Sequence, residues 1–354
     1  MKKITTYIVF ALLLTVFSTT LVGAETININ LQSALNMALE NNLNLKEAKI
    51  SLEKSKLEYQ KSIANNLTTQ SDYNELRAEY TLKNAEISYK NNRDSLIKNV
   101  VQQYNNLILT KYNLQILEKR QELENKLLEE SQAKYEIGDI GNVSLLEQKN
   151  SYQDAQYNYK SAQDNYEQSL REFKTTIGIN RERSLELSEF AEPEIWEVNQ
   201  DEVVNTALNN SMNLKLKEMN LDLAKLDKKR TEISSSKIDI KIAEKAVEKA
   251  EVSKMRTKSD IENNSVLAYH DYQQAIEEIN LKNSNYQKAR EDYRLKKEQY
   301  DEGLITESEL LNYEINKMQA EYDYLSAIAN YYNKKIALRQ EMNVELEVIK
   351  NDNQ

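Results

Sequence analysis

The 354-residue chain has no cysteine, one proline, one histidine and only five glycines. Without Cys there is neither a disulfide framework nor a thiolate metal site. Glycine and proline this scarce can hardly supply the turns of a many-stranded sheet, whereas 29% charged and 40% hydrophobic residues suit long amphipathic helices. The lone His270, in "LAYHDYQQ", and the lack of a glycine-rich phosphate loop leave no catalytic or metal constellation. The abundant carboxylates follow solvated helix faces. No cofactor and no enzymatic role are expected. The formal charge is −10, and no Lys/Arg cluster stands out along the chain, which argues against a nucleic-acid partner.

The N-terminus, "MKKITTYIVFALLLTVFSTTLVGAE", joins a basic start to a short apolar stretch and an A-x-A-like site at Val22-Gly23-Ala24. Residues 1–24 therefore read as a secretory signal peptide, and the mature chain as extracytoplasmic. Loss of Lys2 and Lys3 would take the formal charge from −10 to −12. An uncleaved anchor is the competing reading, but the stretch is short for a span of about 20 residues.

What is present is a repeat, which takes precedence over any other fold signal. "ALENNLNLK" at 38–46 matches "ALNNSMNLK" at 207–215, an offset of 169. Farther on the offset is 165, pairing Tyr135 with Tyr300, Gly138 with Gly303, Leu145-Leu146 with Leu310-Leu311, and Tyr159 with Tyr324. The single proline, Pro193, lies between the copies in "SEFAEPEIW", where a residue with fixed φ and no N–H suits a linker. Two units follow, 25–190 and 191–354.

Within each copy the apolar positions step by three and four. Tyr152, Ala155, Tyr159, Ala162, Tyr166, Ser169 and Phe173 form one such stripe, and Ala320, Tyr324, Ala327, Tyr331, Lys334 and Leu338 the other. This is the spacing of a coiled-coil seam, with large Tyr interlocking between small Ala layers. Gly138, Gly141 and Gly303 sit at pauses in the helical pattern and Gly178 at a helix end, with Asn343 as its repeat partner; all are expected at left-handed helix caps. "NNLTTQSD" at 65–72 and "SSS" at 234–236 mark further helix ends, rich in cap-forming residues. Each copy then reads as three helices, about 32–64, 71–136 and 143–177, then 201–233, 237–301 and 306–342. The long middle helix, roughly 66 residues or about 99 Å, can be matched by its two shorter neighbours stacked end to end. One copy is expected to enclose little core, so the buried surface must come from the other copy and from other subunits.

These features together, namely the opening "INLQSALNMALENNLNLKEAKISLEKSKLEYQKS", the Tyr-x-x-Gly pauses followed by Leu-Leu, and the twofold repetition, resemble the TolC family of outer-membrane efflux proteins. The resemblance spans nearly the whole mature chain. It implies an all-α fold of two tandem repeats of long antiparallel coiled-coil hairpins, forming the family's α-helical tunnel. It further implies a homotrimer, a periplasmic adaptor that docks on the helical tips, and an inner-membrane transporter of ABC or similar type. The chain departs from the family where two barrel strands per copy should lie. A spanning strand needs about 9 to 11 alternating residues, and only "NNLTTQSD" and "SSS" occupy those places. Little or no β structure is expected there, and the location is the cell envelope: outer membrane and periplasm if the source has two membranes, otherwise the cell surface.

The same resemblance carries two sets of site residues. Tyr135, Gly138 and Ile140 in one turn, and Tyr300, Gly303 and Ile305 in the other, correspond to adaptor-docking tips; the turns also read as ordinary interhelical connections. The family's acidic tunnel-entrance pattern falls on Glu309-Leu310-Leu311-Asn312, with Ser144-Leu145-Leu146-Glu147 in the first copy. Glu309, Asn312 and Glu147 are the entrance candidates, although Glu309 equally reads as a helix N-terminal acid favoured by the dipole. Two functional readings stand: an export duct working with an adaptor and a transporter, or a secreted coiled-coil scaffold of the envelope that conducts nothing.

Overall fold

A computed structural model describes residues 27–190 and 192–346; the signal-peptide reading of residues 1–24 lies outside them. The fold is all-α apart from one two-stranded contact. In chain order it runs β1 (Ile27–Ile29), α1 (Leu31–Asn41), α2 (Leu43–Thr69), α3 (Asp72–Glu136), α4 (Asn142–Thr176), β2 (Leu185–Leu187), α5 (Gln200–Asn210), α6 (Met212–Ser234), α7 (Lys237–Asp301) and α8 (Glu307–Glu341).

The repeat in the sequence is a repeat of helix bounds. α3 and α4, shifted by 165, coincide with α7 and α8; α1, shifted by 169, coincides with α5. The four-residue change of offset falls inside one pair, since α2 has 27 residues and α6 has 23. Four residues are close to one helical turn, so the shortening keeps the same faces turned inward.

The first helix expected in each copy is divided in two, at Asn42 and Ser211. Both residues are extended (ψ 121° and 106°), and each ends one helix while capping the next, accepting from the backbone N–H of Leu45 and Leu214 at 3.1 Å. The repeated "ALENNLNLK" and "ALNNSMNLK" are thus a shared kink, and the cap-forming Asn and Ser are its cause.

The 65-residue α3 is lined along one side by α2 and then α4, and along the other by α6 and then α8; α7 has α6 and α8 along one side. The order across the layer is therefore α2/α4, α3, α6/α8, α7. The α3–α8 joint is antiparallel and keeps one register for much of its length. Gln340 Nε2 donates to the Asp94 carbonyl at 3.3 Å, Asn105 Nδ2 to the Ala329 carbonyl at 3.4 Å, and Lys126 pairs with Glu307 at 2.8 Å. Between these lies an apolar cluster of Ile116, Leu123, Leu311 and Ile315.

Two larger cores sit at mid-length, one per copy. In the first, Phe173 meets Tyr104 edge-on at 6.0 Å among Leu35, Val100 and Ile177. In the second, Tyr272 and Tyr331 lie 5.5 Å apart beside Val203 and Leu338. The connector between copies is held by both cores. Tyr104 Oη donates to the Ser188 carbonyl at 2.7 Å, and Tyr331 Oη and Tyr272 Oη donate to the carbonyls of Glu194 and Trp196 at 2.6 and 2.9 Å. Phe190 packs against both clusters. The β1–β2 pair, parallel with Ile27 opposite Leu185, belongs to the first copy and was not expected from sequence. Three residues per strand are too few to show an alternation.

Among the described residues no strand separates α2 from α3 or α6 from α7. Asn66, nearly buried, closes the first turn, its Oδ1 accepting from Ser71 N–H at 3.0 Å and its Nδ2 donating to the Ser71 carbonyl at 3.1 Å. Gln70 takes the left-handed conformation there (φ 48°). Ser236 closes the second turn in a capping box with Asp239. No helix among the described residues is long and apolar enough to cross a membrane.

Candidate functional site

The α3–α4 and α7–α8 turns form the tips at the end of the layer opposite these closures. Each long helix ends in the same motif: Gly138 N–H donates to the Tyr135 carbonyl and Asp139 N–H to the Lys134 carbonyl, matched by Gly303 to Tyr300 and Leu304 to Gln299. This is the Schellman pattern, and it needs the left-handed φ of 79° and 74° that the two glycines adopt. Nothing lies within 4 Å of where a Cβ would stand on either one, so the glycines answer to backbone conformation and not to close packing.

The tips differ at their second residue of interest. Thr306 caps α8 in a full capping box: Glu309 N–H donates to Thr306 Oγ1 at 3.2 Å, and Thr306 N–H donates to Glu309 Oε2 at 3.0 Å. The equivalent residue in the first copy is Gly141, which is extended (φ −84°) and offers no side-chain cap. Gly141 therefore does not hold the left-handed position expected of it. It is the start of α4, not the end of α3.

Tyr135, Gly138, Tyr300 and Gly303 are exposed, whereas Ile140 and Ile305 are half-buried. The apolar groups that stand out at the tips are Ile137, Val143 and Leu304. Of the entrance candidates, Glu309 has its carboxylate engaged in the cap, Asn312 donates to the Ser308 carbonyl at 3.2 Å, and Glu147 is exposed on α4. Glu309 and Asn312 lie one turn apart on α8; Glu147 lies on the other hairpin. Between the hairpins, Ser308 Oγ donates to Glu130 Oε1 at 2.7 Å.

No group of His, Cys, Asp and Glu among the described residues could hold a metal ion. His270 is exposed on α7 and meets the ring of Tyr269 edge-on at 5.6 Å.

No protein-family model matches the chain, and no curated protein does so by sequence. Solved structures do match. The CmeC outer membrane channel of Campylobacter jejuni superposes with a TM-score of 0.66 at 15% identity, covering 88% of this chain and 85% of that one. The outer membrane protein VceC of Vibrio cholerae gives 0.65 at 12% identity over 90% and 97% of the two chains. The open state of the Neisseria gonorrhoeae MtrE outer membrane channel gives 0.56 at 16% identity over 89% of each. At these identities the likeness is one of fold. The chain has the TolC-like α-helical tunnel fold.

Proposed function

We propose that three copies of this chain close into a tube that serves as the duct of an envelope export system, working with an adaptor at its tips and a membrane transporter beyond it. The supporting observation is a broken equivalence. Within the chain, α3 and α8 cover each other, and Ile116 and Leu311 are 2% and 5% exposed. Their repeat equivalents, Leu281 on α7 and Leu146 on α4, lie at the two free edges of the layer and are 60% and 49% exposed. Tyr157 on α4 is likewise exposed while its equivalent Tyr322 packs into the α3–α8 cluster. One edge of the layer is thus the unfilled half of a joint whose other half is the opposite edge. Such head-to-tail complementarity generates a closed ring when the rotation permits. Leu267, Leu281 and Leu295 on α7 recur every 14 residues, and Leu43, Ile50 and Leu57 on α2 every seven, the repeat of a left-handed supercoil.

The tips supply the adaptor surface in this reading: Ile137, Val143 and Leu304 are apolar points on a small, rigid turn, beside Tyr135, Gly138, Tyr300 and Gly303. Ile140 and Ile305 lie half-buried in the same turns. Three copies of Glu309, with Asn312 and Glu147 nearby, would ring the entrance and raise the local cation concentration.

The cysteine-free chain makes a direct test simple. Leu281 and Gln153 correspond to Ile116 and Met318, which pack in one cluster. A Leu281→Cys, Gln153→Cys double variant is expected to oxidise to a covalent trimer, with light scattering showing three copies in the parent chain. A monomer in both measurements would sink the tube. The tight closures between α2 and α3 and between α6 and α7, with no strand in either, favour a second reading: a bundle that braces the envelope without conducting. Export through the cognate adaptor and transporter that stops when this chain is removed decides against that one, and export that continues unchanged decides for it.

A further inference from the structure

The two ends of the helical layer carry opposite charge. At the tips, residues 134–147 and 300–312 contain one lysine and seven carboxylates. At the other end, the α6–α7 corner, residues 225–245, contains seven Lys/Arg and four Asp/Glu, while the α2–α3 corner beside it, residues 56–80, contains three and four. In the sequence the interleaved acids hide this, but the fold engages all four of those at the α6–α7 corner. Asp227 pairs with Arg230 at 2.9 Å, and Glu232 and Glu244 share Lys228 at 3.5 and 3.4 Å. Asp239 accepts from Ser236 N–H and Oγ at 3.2 and 2.7 Å in the cap of α7.

Lys225, Lys229, Lys237 and Lys241 are left exposed and without an ion pair among the described residues. Among them stand three bare isoleucines: Ile233 is 84% exposed, Ile238 72% and Ile242 63%. Their order is that of the helix surface. Lys225, Lys229 and Ile233 follow one another at i, i+4 along α6, while Ile238 and Ile242 are a turn apart on α7 beside Lys237 and Lys241. The capping box and the cation–π contact of Arg230 over Tyr73, 4.6 Å from the ring centre, hold this corner in place against α3.

We propose that this α6–α7 end is a peripheral docking surface for an anionic lipid bilayer. Branched apolar side chains flanked by flexible, unpaired lysines are the composition of an interfacial contact, the apolar groups entering the headgroup boundary and the ammoniums meeting lipid phosphates. The acidic tips are repelled by the same surface, so the charge pattern also sets the orientation: α6–α7 turn toward the lipid, tips away. The residues of the surface all come from one chain, but Ile238, the repeat equivalent of Tyr73, stands on the α7 edge that the tube reading gives to a neighbouring copy, so flotation is read on the monomer as well as on the trimer.

The test is flotation of the full mature chain with vesicles of phosphatidylcholine alone and of phosphatidylcholine mixed with phosphatidylglycerol. Binding is expected only with the anionic lipid and is expected to fall as salt rises. Each lysine near the surface is worth roughly fivefold, so Lys229→Glu, Lys237→Glu, Lys241→Glu together should weaken binding by at least about tenfold. The Ile233→Ser, Ile238→Ser pair should weaken it as well, while Ile195→Ser on the mid-length connector, an exposed isoleucine away from this corner, should not. If circular dichroism shows that the Ser pair has lost helix, the Ala pair takes its place. Equal flotation of all variants, or equal binding to both vesicle types, overturns the proposal. So does a Ser pair that changes oligomeric state in light scattering yet floats normally, since the isoleucines would then lie between copies. Capture by soluble polyphosphate that ignores the isoleucines overturns it too.

Discussion

Ser308, on the first turn of α8, donates a 2.7 Å hydrogen bond to Glu130 of α3 across 178 residues of sequence, and does so almost wholly buried. It is the last link of the α3–α8 joint before the tips. Lys126–Glu307, at 2.8 Å, sits beside it on the surface, where an ion pair adds little.

Ser308→Ala removes the donor and leaves Glu130 without its partner, at a cost of about 1 kcal/mol. The loss should be local. Hydrogen exchange is expected to speed up in the first turns of α8 and the last turns of α3, with the mid-length cores unchanged; uniform protection in the variant would show that the bond does not hold the tips together.

Gly178 and Gly303 share a φ of 74°, yet differ in surroundings. A Cβ on Gly178 would stand 2.6 Å from Asn41 Cβ, where the end of α4 meets the end of α1, while one on Gly303 meets nothing within 4 Å. Gly303→Ala should therefore cost only the left-handed strain of about 1 kcal/mol. Gly178→Ala should cost distinctly more, because backbone must move as well. Thermal unfolding of the two variants checks the ranking, and equal melting temperatures would refute it.

Burial raises the pKa of the mid-length tyrosines, pushing Tyr332 up to about 12 and Tyr104 and Tyr272 still higher. An unfolded tyrosine ionises near 10. Between those values the folded chain holds more protons than the unfolded one, so stability should be level below about pH 10 and fall as pH rises above it. Tyr272→Phe should flatten that fall; near neutral pH it should cost about 1 kcal/mol for the lost bonds to Trp196. Urea unfolding across that range measures both effects.

Glu309→Gln keeps an acceptor for the Thr306 N–H and removes the charge, so α8 should stay capped while any entrance ring loses its field. Blockade of export by multivalent cations is expected to weaken in the assembled system, and blockade equal to that of the parent chain would leave Glu309 as a cap alone.

Gly303→Arg adds a bulky cation at an exposed point of the second tip. If the tips dock an adaptor, pull-down of the cognate adaptor should drop at least about tenfold with helicity intact; unchanged capture would mean the turn only connects two helices.

The sequence determined the helices, their lengths and most of their ends. These depend on local chemistry: glycine or asparagine where the backbone turns left-handed, as at Gly178 and Asn343, and cap-forming side chains where N–H groups would be unsatisfied. The repeat of heptads likewise told which faces are apolar. The kinks at Asn42 and Ser211 were written in the same chemistry but hidden, because one residue closes a helix and opens the next without breaking the apolar period. Tertiary structure decided which of two equivalent surfaces is covered. Leu146 and Leu311 follow the same pattern, yet α8 lies against α3 and α4 lies at the edge; burial is a property of neighbours, and no local signal states who they are. The same holds for charge at the α6–α7 end, where acids are interleaved with the cations along the chain and only the folded pairing shows which lysines stay unmatched.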